Sequence, residues 1–130
     1  MKRGIWIIAA VCALMMNVAC QNGAKKNTPE TVTEQFSKAF YTADITHQYQ
    51  YSTKKSDFAI KQLQKDLKVN PERVKEMQDS KVEIEKVKVI EQTDSTAKCV
   101  CVAKVNGRSR SDKWDLLKED GEWKVAIALP

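Results

Sequence analysis

The sequence of 130 residues predicts a single α+β domain in which N-terminal helices pack on a curved, four-stranded antiparallel sheet. Three observations predict this fold class. Up to Ser80 the apolar residues recur at helical spacing, and beyond it the period changes to two and β-branched residues dominate. The pairs Asn106-Gly107 and Asp120-Gly121 are typical two-residue hairpin turns. The length suffices for one domain with a real core and is too short for two.

The composition is that of an ordinary globular protein, with 30% charged and 42% hydrophobic residues. The formal net charge is +5, but Lys2 and Arg3 precede an apolar N-terminal run. Without those two, the 22 basic residues become 20 against 17 acidic ones, a net charge of +3. The remaining charges alternate in sign, as in "KVEIEKVKVIE", with no basic block. This pattern indicates a solvated face and argues against a nucleic-acid partner.

Residues 1–19 have the three-part layout of a secretory signal peptide. Lys2 and Arg3 form its charged start, residues 5–16 its apolar core, and "NVA" is a small-residue approach to Cys20. A transmembrane helix needs ~20 apolar residues, so this core is too short to span a bilayer comfortably. An uncleaved signal anchor and a plain secreted protein are the alternatives.

Cys20 distinguishes this segment from an ordinary signal peptide. Preceded by Val18-Ala19, it resembles the bacterial lipobox, in which the cysteine is acylated, as with palmitate, and becomes the first mature residue. Asn17 departs from that pattern, which prefers leucine. The resemblance implies lipid attachment at Cys20 and a membrane as partner. Gln21 stands where an inner-membrane retention aspartate would stand, so we expect an outer-membrane location in the cell envelope.

Residues 20–28 are predicted to be a flexible polar tether, and residues 29–130 the folded domain. Thr28-Pro29-Glu30 predicts a helix start, because it joins a capping hydroxyl, a first-turn proline and an acid at the positive end of the helix dipole. One apolar stripe follows: Val32, Phe36, Ala39, Phe40 and Ala43.

Three shorter helical segments are predicted after this helix. A weak one follows Asp44, Ser56-Asp57 begins the next, and Asn70-Pro71 ends that helix and starts a short last one. Their apolar positions are Ile45 and Tyr49 in the first, Ile60, Leu63 and Leu67 in the second, and Val74 and Met77 in the third.

Four strands are predicted at residues 82–91, 96–105, 108–118 and 122–129. With the two turns as loops, each hairpin independently places the same side chains on one face: Ala97, Cys99, Trp114, Leu116, Val125 and Ile127. In the first strand, the apolar side chains of the two halves fall on opposite faces of the sheet. Either a bulge near residues 85–86 returns both halves to one face, or both faces are partly covered.

Cys99 and Cys101 lie on the same face of one strand, about 6.6 Å apart along an extended chain. Because a disulfide needs Cβ atoms about 3.8 Å apart, we expect two small buried side chains and no bridge. His47 is the only histidine, so no metal or cofactor is predicted.

Arg110 and Asp112 fall on the predicted apolar face, where charge is costly unless it is paired or wet. Either they lie past the helices at a wet end of the sheet, or they line a cavity. His47 is either a proton carrier in a pocket or part of a half-exposed aromatic flank. The candidate pocket comprises Tyr41, His47, Tyr49, Arg110, Asp112 and Trp114.

The segments "PETVTEQFSKAFYTAD" and "LLKEDGEWKVAIAL" carry a family resemblance. They are similar to the cystatin-like superfamily that includes nuclear transport factor 2, and within it to Gram-negative lipoproteins with a domain of unknown function. The resemblance covers roughly residues 28–130. It implies a cone with a cavity between helices and sheet, and it supplies no catalytic motif.

Three functions follow as hypotheses. The leading one is a non-enzymatic envelope lipoprotein whose domain binds a small molecule or another envelope protein. The second is a small cone-fold enzyme that uses an acid such as Asp112 in an apolar cavity. The third is a structural adaptor that forms homodimers through the outer sheet face, where Val100 and Val102 alternate with lysines.

Overall fold

The computed structural model describes residues 26–127 of the chain. The predicted signal peptide, Cys20 and most of the predicted tether lie outside the described residues. The elements in chain order are helices α1 (Pro29–Tyr41), α2 (Ile45–Gln50), α3 (Asp57–Lys68) and α4 (Pro71–Gln78), with a 3-10 turn at Lys54–Ser56, and strands β1 (Val82–Gln92), β2 (Thr96–Val105), β3 (Arg108–Glu119) and β4 (Glu122–Ala126). This α+β architecture of helices on an antiparallel sheet is the predicted fold class.

Helix α1 begins where the capping pattern predicts. The Thr28 hydroxyl accepts a hydrogen bond from the Thr31 backbone N–H, the Thr31 hydroxyl accepts one from the Thr28 N–H, and Pro29 occupies the first turn. The side chains of Asp44 and Asn70 accept hydrogen bonds from the backbone N–H groups of His47 and Arg73, at the starts of α2 and α4. Each cap satisfies backbone donors that the helix itself leaves unpaired, which fixes the helix start.

The sheet has the order β1-β2-β3-β4 with every neighbouring pair antiparallel. Both hairpin turns have positive φ at their two central residues, 53° and 81° at Asn106-Gly107 and 53° and 80° at Asp120-Gly121. This is the conformation of the predicted two-residue turns. The predicted pairs Cys99 with Trp114, Ala97 with Leu116 and Leu116 with Val125 are all present. The β3–β4 ladder ends at Asp115 and Ala126, before the predicted end of the last strand.

A bulge at Glu85 resolves the change of parity in β1. Ile84 pairs with Ala103 and Lys86 with Val102, so Glu85 is the extra residue. The register shift returns the second half of the strand to the inner face. A second shift at Ile90, which the pattern did not predict, leaves that side chain 43% exposed.

The outer edge of β4 is closed by segments that are not strands. Asn27 accepts a hydrogen bond from the Trp123 N–H at 2.6 Å and donates one to its carbonyl at 3.3 Å. Val125 is bonded through its N–H to the Tyr51 carbonyl and through its carbonyl to the Thr53 N–H. Asn27, which the sequence assigns to the tether, is therefore attached to the sheet.

The core lies between α1 and the inner face of strands β2 to β4. Its fully buried members are Val32, Phe36, Ala97, Cys99, Leu116, Trp123 and Val125. Small residues on β2 allow α1 to lie close to the middle of the sheet. The β3 residues before Trp114 extend past this core toward the end of α1 and toward α3 and α4, where the candidate site lies.

Candidate ligand-binding site

A polar cluster joins the end of α1 to β3. The side chain of Tyr41 is buried, and its hydroxyl donates a hydrogen bond to Oδ2 of Asp112. The Arg110 guanidinium carbon lies 4.8 Å from the centre of the Tyr41 ring, and Nη2 of Arg110 is 4.0 Å from the same carboxylate oxygen. Each of the three side chains therefore contacts the other two, on the sheet face where the register predicted both charges.

Tyr41 is the neutral donor in this cluster. Burial, the hydrogen bond to Asp112 and its negative charge raise the pKa of Tyr41 well above the usual value, and Arg110 offsets only part of this effect. A phenol that donates to a carboxylate makes a strong, charge-assisted hydrogen bond. The pair thus holds Arg110 by a cation–π contact on one side and by an ion pair on the other.

The Arg110 guanidinium keeps its hydrogen-bonding capacity. A separation of 4.0 Å from Asp112 allows Coulombic attraction and exceeds hydrogen-bond distance. No described residue accepts a hydrogen bond from the Arg110 side chain, and that side chain is 49% exposed. Arg110 is consequently a fixed cation with free N–H donors at the end of the cone.

Trp114, the next inward residue of β3, belongs to the packing of the cone. Its Nε1–H donates to the Ser37 hydroxyl at 3.1 Å, and its ring contacts Phe36 and Phe40 edge-on at 5.0 and 5.2 Å between centres. These aromatic rings fill the space between α1 and the sheet at this level. An opening next to these rings lies beyond Phe40.

Cys99 and Cys101 are fully buried beneath α1 and carry no disulfide. Burial raises the pKa of both thiols, so they are protonated near neutral pH. Buried thiols of this kind are poor nucleophiles. Both residues act as small core side chains, as the register predicted.

A cleft of about 430 Å³ opens beyond Phe40, between α3, α4 and the start of β3. Its apolar walls are Phe40, Leu63, Leu67, Val69 and Met77. Its polar lining consists of Gln48, Asp66, Asn70, Arg73 and Arg110. An apolar concavity with a few converging polar groups, in a volume range of roughly 300–1,000 Å³, is typical of small-molecule sites.

Gln48 is the unusual member of this lining. It is 2% exposed, and its Nε2 donates to the Ala39 carbonyl at 3.1 Å. That bond fixes the amide orientation, because the opposite one would set two oxygens against each other. Oε1 of Gln48 then has no donor among the described residues. A buried carbonyl oxygen without a donor costs about 1–3 kcal/mol, so it calls for an explanation.

The other buried polar atom without a partner in residues 26–127 differs in kind. Oγ1 of Thr33 lies in the core beside the sulfur of Cys99, to which its hydroxyl can donate, and Thr33 is not a lining residue of the cleft beyond Phe40. Among residues 26–127, only Gln48 combines a buried oxygen without a donor with a place among the residues that line this cleft.

A larger groove of about 600 Å³ lies on another face, between the start of α3 and strands β3 and β4. Phe58, Leu117 and Ile127 form part of its wall. Ile127 is the last described residue. The groove also has no buried polar atom without a partner in the part of the chain that the structure describes.

Of the predicted pocket residues, the structure brings Tyr41, Arg110 and Asp112 into direct contact, and Arg110 lines the cleft. His47 lies elsewhere: it is exposed, its Nδ1 is 2.5 Å from Oδ2 of Asp44, and its ring stacks on Tyr51. Tyr49 is half-buried and is not among the cleft residues.

Sequence reasoning missed Gln48 and Arg73 as lining residues. Gln48 follows Ile45 by three positions, which places both on one face of α2. An amide side chain on the inward face of a helix was the one sign in the sequence that Gln48 lines a site. The sequence gave no such sign for Arg73, because an arginine in a short polar helix is typical of a solvated surface.

The described residues contain no group of three or more histidine, cysteine, aspartate or glutamate side chains placed to hold a metal ion. None of the described helices is long and apolar enough to cross a membrane.

Comparison with known proteins gives one family and one fold. Residues 18–126 match the profile of a family described as a domain of unknown function, DUF4878. No curated protein matches the sequence closely enough to serve as a relative.

Among solved structures, the chain is similar to a Campylobacter jejuni protein provisionally described as an NTF2-like transpeptidase. The TM-score is 0.54 at 20% sequence identity, over 78% of this chain and 99% of that one. At this identity the similarity shows the fold alone, which is NTF2-like.

Proposed function

The chain belongs to the DUF4878 family of domains of unknown function, and from that premise we propose that it is a cell-envelope lipoprotein whose domain binds a small molecule without transforming it. The ligand occupies the cleft between α3, α4 and the start of β3. Acylated Cys20 holds the domain at the outer membrane through the polar tether.

The observation that carries the binding function is Oε1 of Gln48. A folded protein loses stability when it buries an amide oxygen without a donor. A ligand that donates to this oxygen recovers the lost hydrogen bond on binding. The surrounding walls of Phe40, Leu63, Leu67 and Met77 supply apolar contact, which is the usual source of affinity in such sites.

The contacts of Asp112 favour binding over catalysis. An acid that works on a substrate must reach it within hydrogen-bond distance. Asp112 is engaged by Tyr41 and Arg110 and is not among the residues that line the cleft. The alternative of a cone-fold enzyme with this acid in its pocket is accordingly the weaker proposal.

Filling the cleft should weaken the binding of an apolar probe. In Leu63→Trp the larger ring occupies part of the cleft, so we expect the affinity for the dye Nile red to fall about ten-fold or more, the equivalent of ~1.4 kcal/mol. Ile90→Trp is the matched control, since Ile90 is 43% exposed and lies outside the cleft. Fluorescence titration gives the affinities, and circular dichroism checks that each variant is folded. Equal dye binding by the folded Leu63→Trp and Ile90→Trp proteins would refute the cleft as the site.

Replacing Cys20 by alanine should remove lipid attachment. Cells given labelled palmitate should label the parent protein, which we expect in the outer-membrane fraction, and should leave Cys20→Ala unlabelled and uncleaved. Two acyl chains anchor stably because each buried methylene contributes about 0.8 kcal/mol. Cys99→Ala is the control, because it removes a cysteine that is fully buried in the domain. Undiminished label in Cys20→Ala would contradict the assignment of the anchor.

A further inference from the structure

Resting on the proposed function, we infer that the cleft selects an anionic amphiphile: a molecule with an apolar body, a carboxylate and an N–H or O–H donor. The donor bonds to Oε1 of Gln48, and the carboxylate reaches the guanidinium of Arg110. Three features of the lining determine these three parts of the ligand.

The donor follows from Gln48. Its Nε2 is committed to the Ala39 carbonyl, so the remaining polar atom of this cleft residue, the buried Oε1, can only accept. A ligand that presents an apolar surface or a carbonyl oxygen to Oε1 leaves this oxygen buried without a hydrogen-bond donor, which is energetically costly. An amide N–H or a hydroxyl group satisfies it.

The negative charge follows from the N–H donors of Arg110, which no described residue accepts. Two guanidinium groups, Arg73 and Arg110, and one carboxylate, Asp66, border the cleft. Arg110 is held in place by Tyr41 and Asp112, and its N–H groups have no acceptor among the described residues. A planar guanidinium with free donors matches a carboxylate, which can accept two parallel hydrogen bonds.

The apolar body follows from the walls and the size of the cleft. Half of the lining side chains are apolar, and they come from α1, α3 and α4 and the turn between the last two. The volume of about 430 Å³ lies toward the small end of known ligand sites. The ligand is therefore a small amphiphile.

Three matched probes separate the parts of this inference. N-hexanoylglycine carries the carboxylate and the N–H, its methyl ester lacks the charge, and N-hexanoylsarcosine replaces the N–H by N–CH₃. Each is titrated by equilibrium dialysis against the full chain in lipid nanodiscs, with protein-free nanodiscs as the blank. We expect N-hexanoylglycine to bind about ten-fold more tightly than either analogue, as expected for one hydrogen bond to a charged or buried partner.

Two variants assign the charge preference to Arg110. In Arg110→Gln the preference for the acid over the ester should disappear, whereas Arg108→Gln, which removes an exposed arginine of the same strand outside the cleft, should retain it. Equal binding of the acid and the ester by the parent protein would overturn the anion preference. Equal binding of the glycine and sarcosine probes would overturn the donor requirement.

The Nile red titration keeps this inference separate from the proposed function. If dye binding is lost in Leu63→Trp and none of the three probes binds, the ligand class is wrong and the binding function stands. If dye binding does not respond to Leu63→Trp and no probe binds, the proposed function itself fails.

Discussion

Replacing Phe36 by alanine should lower the free energy of unfolding by about 3–5 kcal/mol. Phe36 is fully buried at the centre of the core, and its ring lies 5.0 Å from that of Trp114 and 6.3 Å from that of Phe40. Truncation loses the burial of the ring and leaves a cavity that these large neighbours fill only in part. Since domains are stable by only about 5–15 kcal/mol, the variant should be close to unfolding at room temperature.

Urea unfolding followed by circular dichroism measures this change. Phe58→Ala is the matched control, because the same truncation is made on α3 at a side chain that is 63% exposed. Its free energy of unfolding should stay within about 0.5–1 kcal/mol of the parent value. A loss of less than 1 kcal/mol in Phe36→Ala would mean that α1 does not pack on the sheet as described.

The sheet could be predicted from the sequence because its information is local. Asn106-Gly107 and Asp120-Gly121 each define a two-residue loop, and a loop of known length fixes which residues face each other. Two independent loops then agreed on one apolar face. The bulge near Glu85 was one of two predicted explanations for the pattern of β1, and the register of the sheet selects it.

The closure of β4 could not be predicted in this way. Asn27 and Thr53 reach this strand from distant parts of the chain, and their bonds to it go through the backbone of Trp123 and Val125. Backbone bonds carry no side-chain pattern. The hydroxyl of Ser56 shows the same limit: it heads α3 as predicted, yet it accepts a hydrogen bond from the Ile127 N–H and caps no helix.

The candidate site was predictable only in part. The alternation of side chains along β3 was enough to place Arg110 and Asp112 on the inner face of the sheet. It could not show how far α1 extends over that face. The last residue of α1, Tyr41, determines the exposure of both charges, because it contacts Asp112 and leaves Arg110 half exposed. In α2, six residues are too few for a clear period, so the sequence favoured His47 where the structure buries Gln48.

Tyr41 should make the domain lose stability at alkaline pH. In the unfolded chain its phenol ionises with a pKa of about 10, whereas burial and Asp112 raise the pKa of the folded-state phenol well above that value. Above pH ~10 the unfolded state therefore binds fewer protons than the folded state, and stability falls by about 1.4 kcal/mol per pH unit. Below pH ~10 the contribution is present in full.

Comparison with Tyr41→Phe isolates this effect. At pH 7 the variant should be less stable by about 1.5–3 kcal/mol, because it loses a hydrogen bond to a charged acceptor. The difference between the two proteins should begin to shrink near pH 10 and should have fallen by about 2–3 kcal/mol at pH 12. Cys99 and Cys101 titrate in both proteins, so their effects largely cancel in the difference. Urea unfolding between pH 7 and 12 at constant ionic strength gives the free energy of unfolding of both proteins. If the difference between these free energies stayed constant across this range, Tyr41 would not donate to Asp112 in a buried site.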